Sequence, residues 1–212
     1  MVKAEELNKE TPVLLLVGSQ RTSVSEFANA LVRHIAPFTS AYFQAFNSNW
    51  CTQILAFDYF HPNLRGTFAR SYLICLRVEE QSSNLNNAML KIVEMLVPVA
   101  SVAYLLVDSS QYAEALINAV CPPLSPDQTA QPEMKTRVRV LHTEKVDKEP
   151  LIRALARRNI NYGVGPLKLG KESIQVEVAA IKRELDQSSV QPFNKFKGQI
   201  DALPRALEQF RL

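Results

Sequence analysis

The segment "VLLLVGSQRTSVSEFANAL" (Val13 to Leu31) constrains the fold most strongly. Val13 to Val17 is an unbroken apolar run, which predicts a strand buried on both faces. Gly18 ends it. Val24, Phe27, Ala28, Leu31, Val32 and Ile35 then recur at helical spacing and give one apolar face. Pro37 stops that helix. A strand buried on both faces and followed at once by an amphipathic helix is the first unit of a strand–helix alternation.

The rest of the chain repeats the alternation. "AYFQAF" (Ala41 to Phe46) and "TQILAF" (Thr52 to Phe57) read as strands joined through the turn-prone "NSN", which predicts a hairpin. "HPNLRG" (His61 to Gly66) is a loop, and "SYLICLRV" (Ser71 to Val78) is a further strand. A helix carries Leu85, Met89, Ile92, Val93 and Leu96, with Asn84 as its expected cap. "VAYLLVD" (Val102 to Asp108) is a buried strand, followed by a helix with Tyr112, Leu116, Ile117 and Val120. After a proline-containing loop (Cys121 to Lys135) come the strand "RVRVLH", the helix "KEPLIRALARR", the glycine-interrupted strand "YGVGPLKL" and the helix "KESIQVEVAAIKREL". The expected fold is a three-layer α/β domain. Its sheet is mostly parallel, with helices on both faces and one antiparallel strand near the start, the arrangement of small GTPases. The expected organisation is a polar extension over 1–10, the domain over 11–186 and an amphipathic tail over 187–212. In that tail Phe193, Phe196, Ile200, Leu207 and Phe210 recur at three to four residues and are candidates to dock on a partner.

Composition excludes several classes. A net charge of +3 with short basic clusters ("RVR", "RALARR", "KFK") is too weak a footprint for nucleic-acid binding. These clusters are expected to be solvated faces or protein contacts. Cys51, Cys75 and Cys121 are odd in number and far apart, which argues against a disulfide framework or a structural zinc. Cys75 lies in an apolar run and is expected in the core. The N-terminus is polar and mixed in charge, so no signal peptide is expected there. His34, His61 and His142 form no metal-ligating pair, and no nucleophile motif supports a hydrolase. Asp58, Asp108 and Ser109 fall near strand ends, where α/β folds place ligands.

The strand–glycine–loop–helix outline is that of a phosphate-binding loop, G-x-x-x-x-G-K-[ST]. The frame here begins at Gly18 and reads "GSQRTSVS". Ser23 replaces the second glycine and Val24 replaces the lysine, while Ser25 keeps the hydroxyl. Val24 cannot offset phosphate charge, and Arg21 offers a positive charge from a different part of the loop. "EEQSS" after Val78 is not D-x-x-G. "EKVD" (Glu144 to Asp147) echoes the guanine-reading N-K-x-D, with Lys145 and Asp147 in place and Glu144 substituted for asparagine. Read plainly, Asp147 is a helix cap and the others are surface charge.

"TPVLLLVGSQRTSVSEFANALVRH" (Thr11 to His34) resembles the opening of the centromere protein M family. "RSYLICLRVEEQSSNLNNAMLKIVEMLVPVASVAYLLVD" (Arg70 to Asp108) resembles its next block. The resemblance implies a small-GTPase fold without the phosphate-binding lysine, its loss matched here at Ser23 and Val24. It also implies a non-catalytic, nuclear subunit of the inner kinetochore, needed for kinetochore assembly and chromosome segregation. Its implied partners are the large helical-repeat centromere protein I and the coiled-coil pair H and K. No cofactor, metal or membrane is implied. Two other readings stay open at this level: a divergent active nucleotide-binding GTPase, and an α/β assembly chaperone or trafficking adaptor.

Overall fold

A computed structural model describes residues 13–19, 24–35, 52–60, 68–78, 80–81, 84–85, 87–121, 134–156, 158, 160–168 and 170–187. Along the chain these form β1 (Val13–Ser19), α1 (Val24–Ile35), β2 (Thr52–Phe60), β3 (Phe68–Val78), β4 (Glu80–Gln81), β5 (Asn84–Leu85) and α2 (Asn87–Leu96). They continue with a 3-10 turn (Val97–Val99), β6 (Val102–Val107), α3 (Ser110–Val120), β7 (Met134–His142), α4 (Lys148–Ala156), β8 (Ile160–Pro166) and α5 (Lys171–Gln187).

Six strands make one sheet in the order β2-β3-β1-β6-β7-β8. β2 runs antiparallel to β3, and every other neighbouring pair is parallel. α2, α3 and α4 cover one face, where Ile92, Leu116, Ile117 and Leu155 meet Leu15, Val17, Leu105 and Val140. α1 and α5 cover the other, where Phe27, Leu31 and Ile181 meet Leu14, Leu16 and Leu106. The three-layer α/β class expected from the alternation is therefore the fold observed. Odd and even residues of β1 serve opposite cores because side chains alternate across a strand. Phe27 is fully buried and its ring lies 5.9 Å from that of Tyr104, tilted by 47°. Such pairs add about 0.5–1.5 kcal/mol beyond area burial.

Some expectations shift. The antiparallel neighbour of β2 is β3, reached across 61–67; the expected strand 41–46 lies outside the described residues. Asn84 and Leu85 do not open the second helix. They pair with Gln81 and Glu80 in a two-residue ladder, and α2 starts at Asn87, because backbone pairing has claimed their amides first. Two arginines expected in solvated or partner-facing clusters work inside the molecule. Arg158 donates to the Cys121 and Ala154 carbonyls and to Asn118 Oδ1, tying the end of α4 to the end of α3.

Arg139 on β7 donates from Nε (3.0 Å) and Nη2 (2.7 Å) to both oxygens of Glu177 on α5. Gly163 stands opposite Arg139 on β8, and a Cβ there would lie 2.6 Å from Arg139 Nη1. The backbone of Gly163 is outside the left-handed region, so what a Cβ there would disturb is the end of the Arg139 side chain, which Glu177 holds in place. Gly163→Ala is expected to push Arg139 off Glu177 and lower stability by about 1–2 kcal/mol, the scale of overpacking in a filled site. In a Glu177→Ala background Arg139 loses this two-point anchor, so the cost of the same change should shrink by at least about 0.5 kcal/mol. Urea unfolding of the four proteins measures that coupling, and strict additivity would show that Arg139 is not the obstacle.

Candidate functional site

The parallel strands β1, β3, β6 and β7 all end at one edge of the sheet. The helix that follows β1 packs on one face and the helix that follows β6 on the other. The crevice between β1 and β6 is thus a topological switch point, the place where open α/β sheets receive ligands.

Two side chains close on each other there. Ser19, 3% exposed, donates its hydroxyl to Asp108 Oδ1 at 2.6 Å. Ser19 is the first residue after the loop glycine and Asp108 the first after β6. The contact joins residues 89 positions apart. The position that would carry a lysine is turned elsewhere: Val24, 1% exposed, packs among Leu14, Leu16, Phe27 and Leu31. Ser25 is half-buried at the start of α1. Arg21 and Ser23 lie outside the described residues.

The next strand end contributes Thr143. Its N–H donates to the Val107 carbonyl (3.0 Å), which sets it beside Asp108. Its own carbonyl accepts from the Val146 N–H (3.1 Å) and from His142 Nδ1 (3.0 Å), closing a turn. Glu144 and Lys145 are exposed on that turn. Asp147 Oδ1 accepts the backbone N–H of Glu149 at 3.0 Å, so this carboxylate caps α4. Two oxygens at this edge, Asp108 Oδ2 and Thr143 Oγ1, are buried and take part in no hydrogen bond.

Of the residues nominated from sequence, the fold brings Gly18, Asp108 and the Glu144 to Asp147 turn to the same edge. It separates Val24 from them. Phe193, Phe196, Ile200, Leu207 and Phe210 lie outside the described residues, as does His61. Asp58 sits inside β2, paired with Arg70, and not at a ligand edge. His34 is half-buried and donates from Nδ1 to the Ala30 carbonyl (2.8 Å), a structural role. Ser19 and Thr143 were not singled out from sequence. The only local signal for them is a hydroxyl at the end of, or just past, an apolar strand.

Away from this edge, a cavity of about 300 Å³ lies between α3 and α4, floored by Ala113, Ile117 and Leu151 and rimmed by Glu114 and Arg153. Among the described residues no group of three or more His, Cys, Asp or Glu side chains is placed to hold a metal ion. No described helix is long and apolar enough to cross a membrane. No family model and no curated protein matches this chain.

Proposed function

We propose that this protein is a non-catalytic relative of the small GTPases that acts as a scaffold subunit of a protein complex. The resemblance to centromere protein M makes the inner kinetochore its place of work. The strand order, with a single antiparallel strand at one edge, supports the GTPase-like reading. The Ser19–Asp108 bond supports the loss of nucleotide chemistry and is the observation that carries it. A carboxylate beside the loop glycine repels phosphate, and it occupies the hydroxyl that leads into the loop. Without a lysine side chain there is nothing at Val24 to offset that repulsion. The Asp147 carboxylate that would read a guanine base is engaged in capping α4. What remains is a rigid sheet that displays helix faces and strand-end loops, which suits protein contacts.

Calorimetry with GTP and with ATP at millimolar concentration, Mg²⁺ present, tests this reading. The expected result is no heat and no thermal shift. A site with Kd of about 10 μM would stabilise the protein by about 2.7 kcal/mol at 1 mM ligand, a shift that is easily seen. Micromolar binding would overturn the proposal. For the cellular part, the tagged protein is expected in centromeric foci, and diffuse cytosolic or vesicular signal would count against it.

A further inference from the structure

We propose that two copies of this chain pair edge to edge through β8, antiparallel about Gly163, so that their sheets run on into one. β8 ends the sheet, and no strand lies beyond it among the described residues. The direction of its backbone groups follows from one bond. Leu167, directly after β8, donates its N–H to the His142 carbonyl of β7 at 2.6 Å. In a strand the N–H and C=O of one residue point to the same side within the sheet, and those of the next residue to the other. The register is unbroken from Val138–Tyr162 to His142–Pro166, so Gly163 and Gly165 also face β7. Tyr162, Val164 and Pro166 therefore face outward. The edge offers the N–H and C=O of Tyr162 and Val164, and the C=O of Pro166, which has no N–H to give.

The residues of this edge complement themselves. Ile160–Pro166 reads "INYGVGP" and carries no charged residue, the common guard of an exposed edge. Its proline stands at the end, where it limits the ladder and does not block it. On a two-fold axis through Gly163, Tyr162 of one copy stands opposite Val164 of the other. Both face outward, so the two exchange both backbone bonds, and the axis repeats the exchange. Gly163 meets Gly163 at the axis, the closely spaced position of the ladder, where side chains crowd most and these have none. Tyr162 and Val164 are half-buried against the core on the α4 side, so each pair also joins an aromatic ring to a β-branched side chain. On the other face Arg139 lies over Gly163 with its charge held by Glu177, so this cation is neutralised within each copy before the two meet. A second copy brings the pattern ready-made, because the residues that offer the bonds are those that accept them.

Sedimentation equilibrium of the full chain over about 1–500 μM tests this. The mass is expected to rise from 23.8 kDa toward twice that value, with a Kd of about 10–100 μM, weak because the ladder is short. Val164→Pro removes an outward N–H that β7 does not use, and Tyr162→Lys places a charge on the edge. Each should weaken association at least about tenfold. Urea unfolding checks that the variants are native, and because they differ in kind, one that folds is sufficient. Amide hydrogen exchange supplies the residue-level readout. Tyr162 and Val164 should exchange more slowly as concentration rises, while Gly163 and Gly165, already bonded to β7, change little. A constant monomer mass would overturn the inference, as would a dimer that the folded variants leave intact. Amides of Tyr162 and Val164 already protected at the lowest concentration would overturn it too, by showing the edge covered from within the chain. The pairing stands or falls independently of nucleotide binding.

Discussion

Val24→Lys is expected to gain no nucleotide affinity and to lose about 3–5 kcal/mol of stability, the scale of an uncompensated charge placed in a core. On sequence grounds the substitution restores the phosphate-loop lysine in the frame that begins at Gly18. The burial of Val24 leads to the opposite expectation. Val24 is 1% exposed and its neighbours in the α1-side core, Leu14, Leu16, Phe27, Ala28 and Leu31, offer no carboxylate. An ammonium there must either stay buried without a partner or drag the first turn of α1 off the sheet. Val24→Ala is the control and should cost about 2 kcal/mol, for lost methyl groups alone. Urea unfolding separates the two variants. Calorimetry with GTP and Mg²⁺ on Val24→Lys completes the experiment. A lysine variant as stable as the parent that bound GTP in the micromolar range would mean that this side chain reaches the loop, and the scaffold reading would fall.

The parts of the fold legible in the sequence are those set by local periodicity. The apolar run of β1 and the six core positions of α1 are all buried as their spacing demands. The same holds for Tyr112, Leu116, Ile117 and Val120 of α3, and for Ile174, Val178 and Ile181 of α5. What escaped the sequence depends on residues far apart. Ser19 and Asp108 meet only because β6 inserts beside β1, and Arg139 meets Glu177 only because α5 returns over β7. An arginine in "RVR" or "RALARR" looks like a solvated charge until its partner is in place. Leu85 fits a helical stripe by spacing, yet backbone pairing with Glu80 takes it. The outline of the site was visible, in Gly18 and the residues after it. The pairing of Asp108 with Ser19 was not, because Asp108, nominated only as a strand-end residue, comes from another strand.

Stability should fall steeply at alkaline pH, by about 1.4 kcal/mol per pH unit for each of two buried thiols. Cys75, fully buried in β3, has its thiol pushed well above the ordinary range by burial. Cys121, at the end of α3, is pushed up to about 12 by burial, with the Arg158 guanidinium pulling weakly the other way. The folded protein therefore keeps both protons where the unfolded chain, with thiol pKa of about 8.5, has lost them. The unfolded state binds fewer protons above that point. The stability contribution is full below it and is lost as pH rises toward the folded values. Urea midpoints at pH 8, 9, 10 and 11 should fall accordingly. Cys75→Ala and Cys121→Ala should each remove about half of the slope, whatever constant cost the smaller side chain adds. A double variant with the parent's slope would assign the alkaline loss to other groups. The two thiols also face different layers, Cys75 the α1 and α5 side and Cys121 the side of α2, α3 and α4. Equal labelling rates for the two under native conditions would mean that both layers open in one step. A faster Cys121 would mean that the α3–α4 side, held by Arg158, opens first.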